Sequence, residues 1–173
     1  MIDGERGIVE QDKHVAGLAH DAGKGVIIIY NKWDTVKKDQ NTMQKVKDKI
    51  YSEFLYLNYA PIVFTSALTG QKVQNVLPMI DQVKENCTRR IATNVLNDVI
   101  LDAQMLNPPK PHNGRQLRIY YASQVAIEPP TIVLFVNDPE LLHFSYKRYI
   151  ENKVREAFDF EGTPIKILAR KRS

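Results

Sequence analysis

Two short segments of this chain carry side chains able to read a flat heterocycle. Asn31-Lys32-Trp33-Asp34 follows directly on the apolar run Gly25 to Tyr30, and Ser66-Ala67-Leu68 follows on a second apolar run, Pro61 to Phe64. A fixed carboxylate at Asp34 can accept two hydrogen bonds side by side. That suits a ring presenting an N1–H next to an exocyclic amine, as guanine does, whereas adenine offers no such donor pair. Lys32 can lay its methylene stem along a base plane with its ammonium in water, and Asn31 can tie the loop to neighbouring backbone and reach the base edge. A buried site built for paired hydrogen bonds rejects an analogue lacking them by about 10⁴-fold. Taken alone, the tetrapeptide also fits a surface turn.

The second segment removes much of that ambiguity. Ser66 and Ala67 are small, so the backbone N–H groups there can approach the carbonyl oxygen of guanine, which a bulky side chain at position 67 would block. Ser66 is expected to hydrogen-bond the Asp34 carboxylate and hold its orientation. Two loops of matching type, in order and both at strand ends, argue for one guanine-reading site, because ligands of open parallel sheets collect at the carboxyl ends of strands.

The elements that must position these loops are legible as periodicities. Ile2 and Asp3 read as the tail of a strand, and Val15, Leu18 and Ala19 fall at helical spacing between Glu10 and Asp21, with Gly23 as the stop. Gly25 to Tyr30 is a continuous apolar run of the kind buried on both faces of a parallel sheet. Met43, Val46, Ile50, Phe54 and Leu57 mark a helix over Asp39 to Leu57. Pro61 to Phe64 is the next strand, and Val73, Val76, Leu77, Ile80 and Val83 mark a helix reaching Arg89-Arg90. This is βαβα alternation, hence α/β.

After Ala92 the order changes to helix (Asn94 to Met105), Pro-rich turn, strand (Gln116 to Val125), strand (Thr131 to Val136), helix (Phe144 to Phe158) and strand (Ile165 to Leu168). In the first of these strands Leu117, Ile119 and Tyr121 alternate with Arg118, Tyr120 and Ala122, which predicts Tyr121 on the apolar face. Tyr120, Tyr121, Tyr146 and Tyr149 can stack bases or fill a core.

Composition sets limits. Of 173 residues 43% are apolar and 25% charged, the balance of a globular protein. The apolar runs are far short of the roughly 20 residues that span a bilayer. A single cysteine, Cys87, rules out an internal disulfide, and the start of the chain lacks the pattern of a signal peptide, so the cytoplasm is the expected compartment. His14, His20, His112 and His143 show no ligand spacing and no Cys or carboxylate cluster joins them, so no metal site is expected. The net charge of +4 permits contact with nucleic acid without requiring it.

Asn31-Lys32-x-Asp34 and Ser66-Ala67-Leu68 resemble the fourth and fifth motifs of the translation-factor class of GTPases. Gly7-Ile8-Val9-Glu10-Gln11-Asp12, Tyr59 to Gly70 and Phe135 to Tyr146 resemble the Der (EngA) family specifically, and the likeness covers the whole chain. The resemblance implies a C-terminal fragment. Residues 1–92 would be the C-terminal half of the second G domain, a partial P-loop-type α/β fold, and residues 93–173 a KH-like α+β domain of order α-β-β-α-β. It also implies guanine binding by Asn31, Lys32, Asp34, Ser66, Ala67 and Leu68, with GTP or GDP as the ligand and Mg²⁺ only in the full-length parent. The implied role is assembly of the large ribosomal subunit, with that subunit and its RNA as partners.

This chain departs from the family pattern. It contains no Gly-x-x-x-x-Gly-Lys-Ser/Thr, and its only Asp-x-x-Gly, Asp159 to Gly162, falls in the wrong domain to serve a metal. Without those groups a polyphosphate lacks its electrostatic partners, so the chain alone is expected neither to hydrolyse GTP nor to bind it well. An uncovered sheet flank would favour self-association. KH modules usually grip RNA with a Gly-x-x-Gly loop, but the only one here, Gly4 to Gly7, reads as a turn in the first domain. RNA contact would then use Arg115, Arg118, Lys147, Arg148, Lys153, Arg155, Lys166, Arg170, Lys171 and Arg172. The Lys147 to Arg155 set reads equally as a salt-bridged helix face. The alternative function is a nucleotide-independent RNA- or ribosome-binding module.

Overall fold

A computed structural model describes residues 1–111 and 114–172. The chain divides into two compact units, one comprising Met1–Cys87 with the short stretch Glu161–Pro164, the other running from Thr88 to Phe160 and again from Ile165 onward.

The first unit holds β1 (Ile2–Asp3), α1 (Glu10–Asp21), β2 (Ile28–Asn31), α2 (Thr42–Glu53) and β3 (Ile62–Phe64). A 3₁₀ turn at Val73–Asn75 then leads into α3 (Val76–Thr88). The strands form a parallel sheet in the order β1-β2-β3, with Ile2 opposite Tyr30, Asp3 opposite Asn31 and Tyr30 opposite Phe64. Ile2, Ile28, Tyr30, Trp33, Ile50, Phe54, Leu57 and Phe64 make its core. Because all three strands run the same way, the residues leaving Asp3, Asn31 and Phe64 emerge along one edge.

Two boundaries differ from the sequence expectation for identifiable reasons. The apolar run from Gly25 enters the sheet only at Ile28, whose N–H donates to the Pro61 carbonyl; two residues earlier in the run, the Val26 N–H donates to the carbonyl of Gly162 at 2.7 Å instead. The second helix starts at Thr42 and not at Asp39, because the Asp39 carboxylate accepts from the Asn41 N–H and the Thr42 hydroxyl and so turns the chain ahead of the helix.

The second unit follows the α-β-β-α-β order: α4 (Thr93–Leu106), β4 (Ile119–Ala126), β5 (Thr131–Val136), a 3₁₀ turn (Pro139–Leu141), α5 (Phe144–Ala157) and β6 (Lys166–Lys171). β5 lies between β4, antiparallel to it, and β6, parallel to it. Leu96 and Ile100 of α4, Ile150 and Val154 of α5, and Ala122, Ile132, Leu134, Val136 and Ile167 of the sheet form one core, so both helices cover the same face. Asn97 and Gln104, seven residues apart on α4, serve the backbone of β4. Asn97 accepts from and donates to Ala122 at 2.8 and 2.9 Å, and Gln104 does the same for Ile119 at 3.2 and 3.3 Å. These amides stand in for a neighbouring strand and occupy what would be an open sheet edge.

The expected inward position of Tyr121 is corrected. Ile119 pairs with Val136 and Tyr121 with Phe135, so β4 spends two residues where β5 spends one. That bulge reverses the alternation: Ile119 and Ala122 point into the core, while Tyr120 and Tyr121 are 46% and 42% exposed.

Candidate functional site: two loops at the end of a parallel sheet

Beyond Tyr30 and Phe64 the pairing of β2 and β3 continues into their loops, since the Thr65 N–H donates to Tyr30 and the Trp33 N–H to Thr65, both at 2.9 Å. Oδ1 of Asn31 then accepts the Ala67 N–H at 3.0 Å and the Thr65 hydroxyl at 3.3 Å. One asparagine therefore ties the first loop to the second.

Trp33 decides which way the first loop faces. Its side chain is buried, with its ring centroid 4.5 Å from that of Phe64 and 6.0 Å from that of Tyr30. Anchoring residue 33 inward leaves Asp34 outward, where its carboxylate is exposed and has no protein partner among the described residues. Lys32 takes a left-handed backbone conformation with φ of 59°, and its carbonyl accepts from both the hydroxyl and the N–H of Thr35, closing the turn. The Lys32 ammonium sits 2.8 Å from Asp3 and 3.1 Å from Glu5. Hydrogen bonds to Asp3 and then Glu5 raise its pKa above the ordinary lysine range, and Lys32 in turn holds the Asp3 carboxyl below the usual carboxylate range.

Sequence reasoning missed Asp3 and Glu5. Parallel pairing of β1 with β2 sets Asp3 beside Asn31, so an acid at the end of the preceding strand was the available signal. Two further expectations are revised. Ser66 is fully buried and its hydroxyl accepts the Thr69 N–H at 3.2 Å, which shapes its own loop; no bond among the described residues joins it to Asp34. The Ala67 N–H, expected to face a guanine carbonyl, is engaged by Asn31. Leu68, at 88% exposure, projects from the same loop.

Residues 1–86 match the model of the elongation factor Tu GTP binding domain, and residues 90–170 match that of the KH-domain-like C-terminal domain of EngA bacterial GTPase enzymes. The chain is 58% identical over 172 residues to the GTPase Der proteins of Bacillus cytotoxicus, Bacillus cereus and Bacillus thuringiensis, a match that takes in 99% of this chain. The chain belongs to the Der (EngA) family of GTPases. It spans 39% of the length of these Der relatives.

In this Der-family chain the cations singled out in the second unit fall into distinct settings. Arg115 pairs with Asp138 at 2.9 Å, and Lys153 pairs with Glu156. Arg155 pairs with Glu151 at 3.0 Å and donates to the Phe160 carbonyl. Arg118 and Arg148 are exposed, and Lys147 is half-buried. Lys166 and Arg170 stand on the sheet face opposite the helices, Lys171 is exposed at the end of β6, and the Arg172 guanidinium lies 4.8 Å from the centre of the Tyr120 ring. Tyr146 belongs to the core and Tyr149 packs against it half-buried, and their hydroxyls donate to the Asn107 and Ala103 carbonyls.

His20 contacts Tyr59 at 2.8 Å and His143 caps α5, while His112 lies outside the described residues. Among the described residues no group of His, Cys, Asp or Glu is arranged to hold a metal, and no helix is long and apolar enough to cross a membrane.

Proposed function

We propose that Asn31, Lys32, Asp34, Ser66, Ala67 and Leu68 read the guanine of GTP or GDP, and that the second unit binds ribosomal RNA, so that the protein serves large ribosomal subunit assembly in the cytoplasm. The observation carrying the first half is the Asn31–Ala67 hydrogen bond, which joins the two loops beside the Asp34 carboxylate, which has no partner among the described residues. Asp34 accepts the N1–H and the exocyclic amine. Lys32, its ammonium anchored on Asp3 and Glu5, offers its stem to the ring, and the small Ser66-Ala67 segment admits the base edge.

The residues present fit the base and not the phosphates. The sequence contains no Gly-x-x-x-x-Gly-Lys-Ser/Thr, so the 173-residue chain supplies base contacts without the backbone cradle, lysine and Mg²⁺-holding hydroxyl that phosphoryl transfer needs. Hydrolysis by this chain alone is not expected. In an amide NMR titration, GDP at millimolar concentration should shift residues 31–34 and 66–68, and ADP should leave them in place. Equal shifts with both nucleotides, or none with either, refute the guanine reading.

A nucleotide-independent RNA-binding module is the second reading. It draws on the second unit, where β4, β5 and β6 contain no Asp or Glu. Ribosomal RNA affinity that is the same with and without GDP would favour it.

A further inference from the structure

We infer that the sheet face of the second unit turned away from α4 and α5 is a stacking platform for single-stranded RNA. This rests on the RNA-binding reading above and specifies where and in what form the RNA is held.

The face is built by the bulge in β4. Two residues of β4 opposite one of β5 turn Tyr121 outward next to Phe135, and their rings lie parallel, with centroids 4.3 Å apart and planes inclined by 15°. Phe135 is in register with Arg170 on the other side, so a single row across the sheet reads Tyr121, Phe135, Arg170. The outward positions of β6 are Lys166, Leu168 and Arg170, and Leu168 is 45% exposed. Tyr120 lies next to this row with the Arg172 guanidinium over its ring.

Exposed aromatic and aliphatic side chains on a sheet are costly to leave in water, and contiguous patches of them mark interaction sites. What accompanies them selects the occupant. The positive charges here are not neutralised by acids within the strands, since none of the three contains one. Rings interleaved with unopposed cations fit a ligand that has flat π-faces joined by phosphates. Only unpaired bases expose those π-faces, because a duplex keeps them stacked inside; the platform therefore selects single strands. α5 displays its own cations on the other side of the sheet, where Arg155 and Lys153 are already spent on Glu151 and Glu156.

The test is fluorescence anisotropy on the full chain, with a labelled unstructured RNA of twelve nucleotides and a hairpin of the same composition. The single strand should bind more tightly. Tyr121→Ala and Phe135→Ala should each weaken it roughly five- to a hundred-fold, and Tyr121→Phe should restore binding. Arg170→Ala should lower the salt slope by about one. Tyr121 is exposed and Phe135 half-buried on this face, so far-ultraviolet circular dichroism and melting curves will identify any variant that loses its fold, for which Tyr121→Phe and Arg170→Ala remain as readouts. Single-strand binding unchanged by the aromatic substitutions but lost on Lys147→Ala with Arg148→Ala overturns the platform and leaves the RNA reading standing. Absence of binding to either RNA overturns both. RNA binding retained by Tyr121→Ala while self-association disappears assigns the face to a second copy of the chain.

Discussion

Asn31 and Ala67, 36 residues apart in the chain, share a hydrogen bond of 3.0 Å in which the side-chain Oδ1 of Asn31 accepts the Ala67 N–H. The same oxygen also receives the Thr65 hydroxyl. The two loops are therefore one structure, and its geometry is set by a side chain and not by the strands alone.

Replacing Asn31 by Ala removes the acceptor for both donors. A neutral hydrogen bond of this kind contributes about 0.5–1.5 kcal/mol. Amide exchange at Ala67 should accelerate by about tenfold, while exchange at Ile50 in the core stays as it was. Unaltered protection at Ala67 would mean that the loops are held together by something else.

Asp34 should matter for ligand and not for fold. Its exposed carboxylate has no protein partner among the described residues, so Asp34→Asn should leave the melting midpoint unchanged to within about 0.5 kcal/mol of stability. The amide replaces one acceptor by a donor, which clashes with the amine of guanine and matches the carbonyl that xanthine carries there. Shifts induced by GDP at residues 31–34 should vanish and return with xanthosine diphosphate; persistence of the GDP shifts would remove Asp34 from the base contact.

Gly162 has a more demanding position than its place in the connection from α5 to β6 suggests. Its φ is +79°, and a Cβ built there would lie 2.2 Å from Cγ2 of Val83. Its N–H donates to Tyr59 and its carbonyl accepts from Val26, at 2.8 and 2.7 Å. Gly162→Ala should cost about 2–5 kcal/mol from left-handed strain and overpacking together. Adding Val83→Ala should recover part of the loss by making room, a coupling that denaturant melts of the two single and the double variants will measure. Strictly additive losses would show that the close contact is not the cause.

Tyr146 links stability to alkaline pH. Burial, with Tyr149 beside it, pushes its phenol up to about 12, against an ordinary value of about 10 in an unfolded chain. A raised folded-state pKa stabilises at pH values below the unfolded one, and that contribution disappears as pH climbs from about 10 through about 12. At pH 8 the chain should resist urea better than its Tyr146→Phe variant, which lacks the bond to the Asn107 carbonyl. By pH 11 the gap should narrow. A constant gap across this range would contradict the assignment.

Much of the first unit was readable because a parallel sheet buries its strands on both faces and so writes them as unbroken apolar runs. The order of elements followed from such runs alternating with helical stripes, and the guanine-reading tetrapeptide stood out by lying at the end of one. That the two loops belong together was also legible; what failed to show was which side chains of distant segments bond to one another. Asp3 looked like the end of a strand and turned out to hold Lys32. Ser66 looked like a partner for Asp34 and instead shapes its own loop. Tyr121 obeyed period-two alternation on paper, but one extra residue in β4 reversed its face. Local pattern carries no information on a bulge, because a bulge is defined by the partner strand.

By itself the sequence determined the α/β and then α-β-β-α-β order, the Der resemblance and the short list of side chains capable of reading guanine, since each depends on residue types at fixed spacing along the chain. Tertiary structure decided which of those side chains are spent on one another. Asn31 is committed to Ala67, Lys32 to Asp3 and Glu5, and Arg155 to Glu151, whereas Asp34 and the ring pair Tyr121 and Phe135 are left facing outward. The physical reason is that hydrogen bonds and ion pairs act over a few ångströms of space, whatever the separation along the chain.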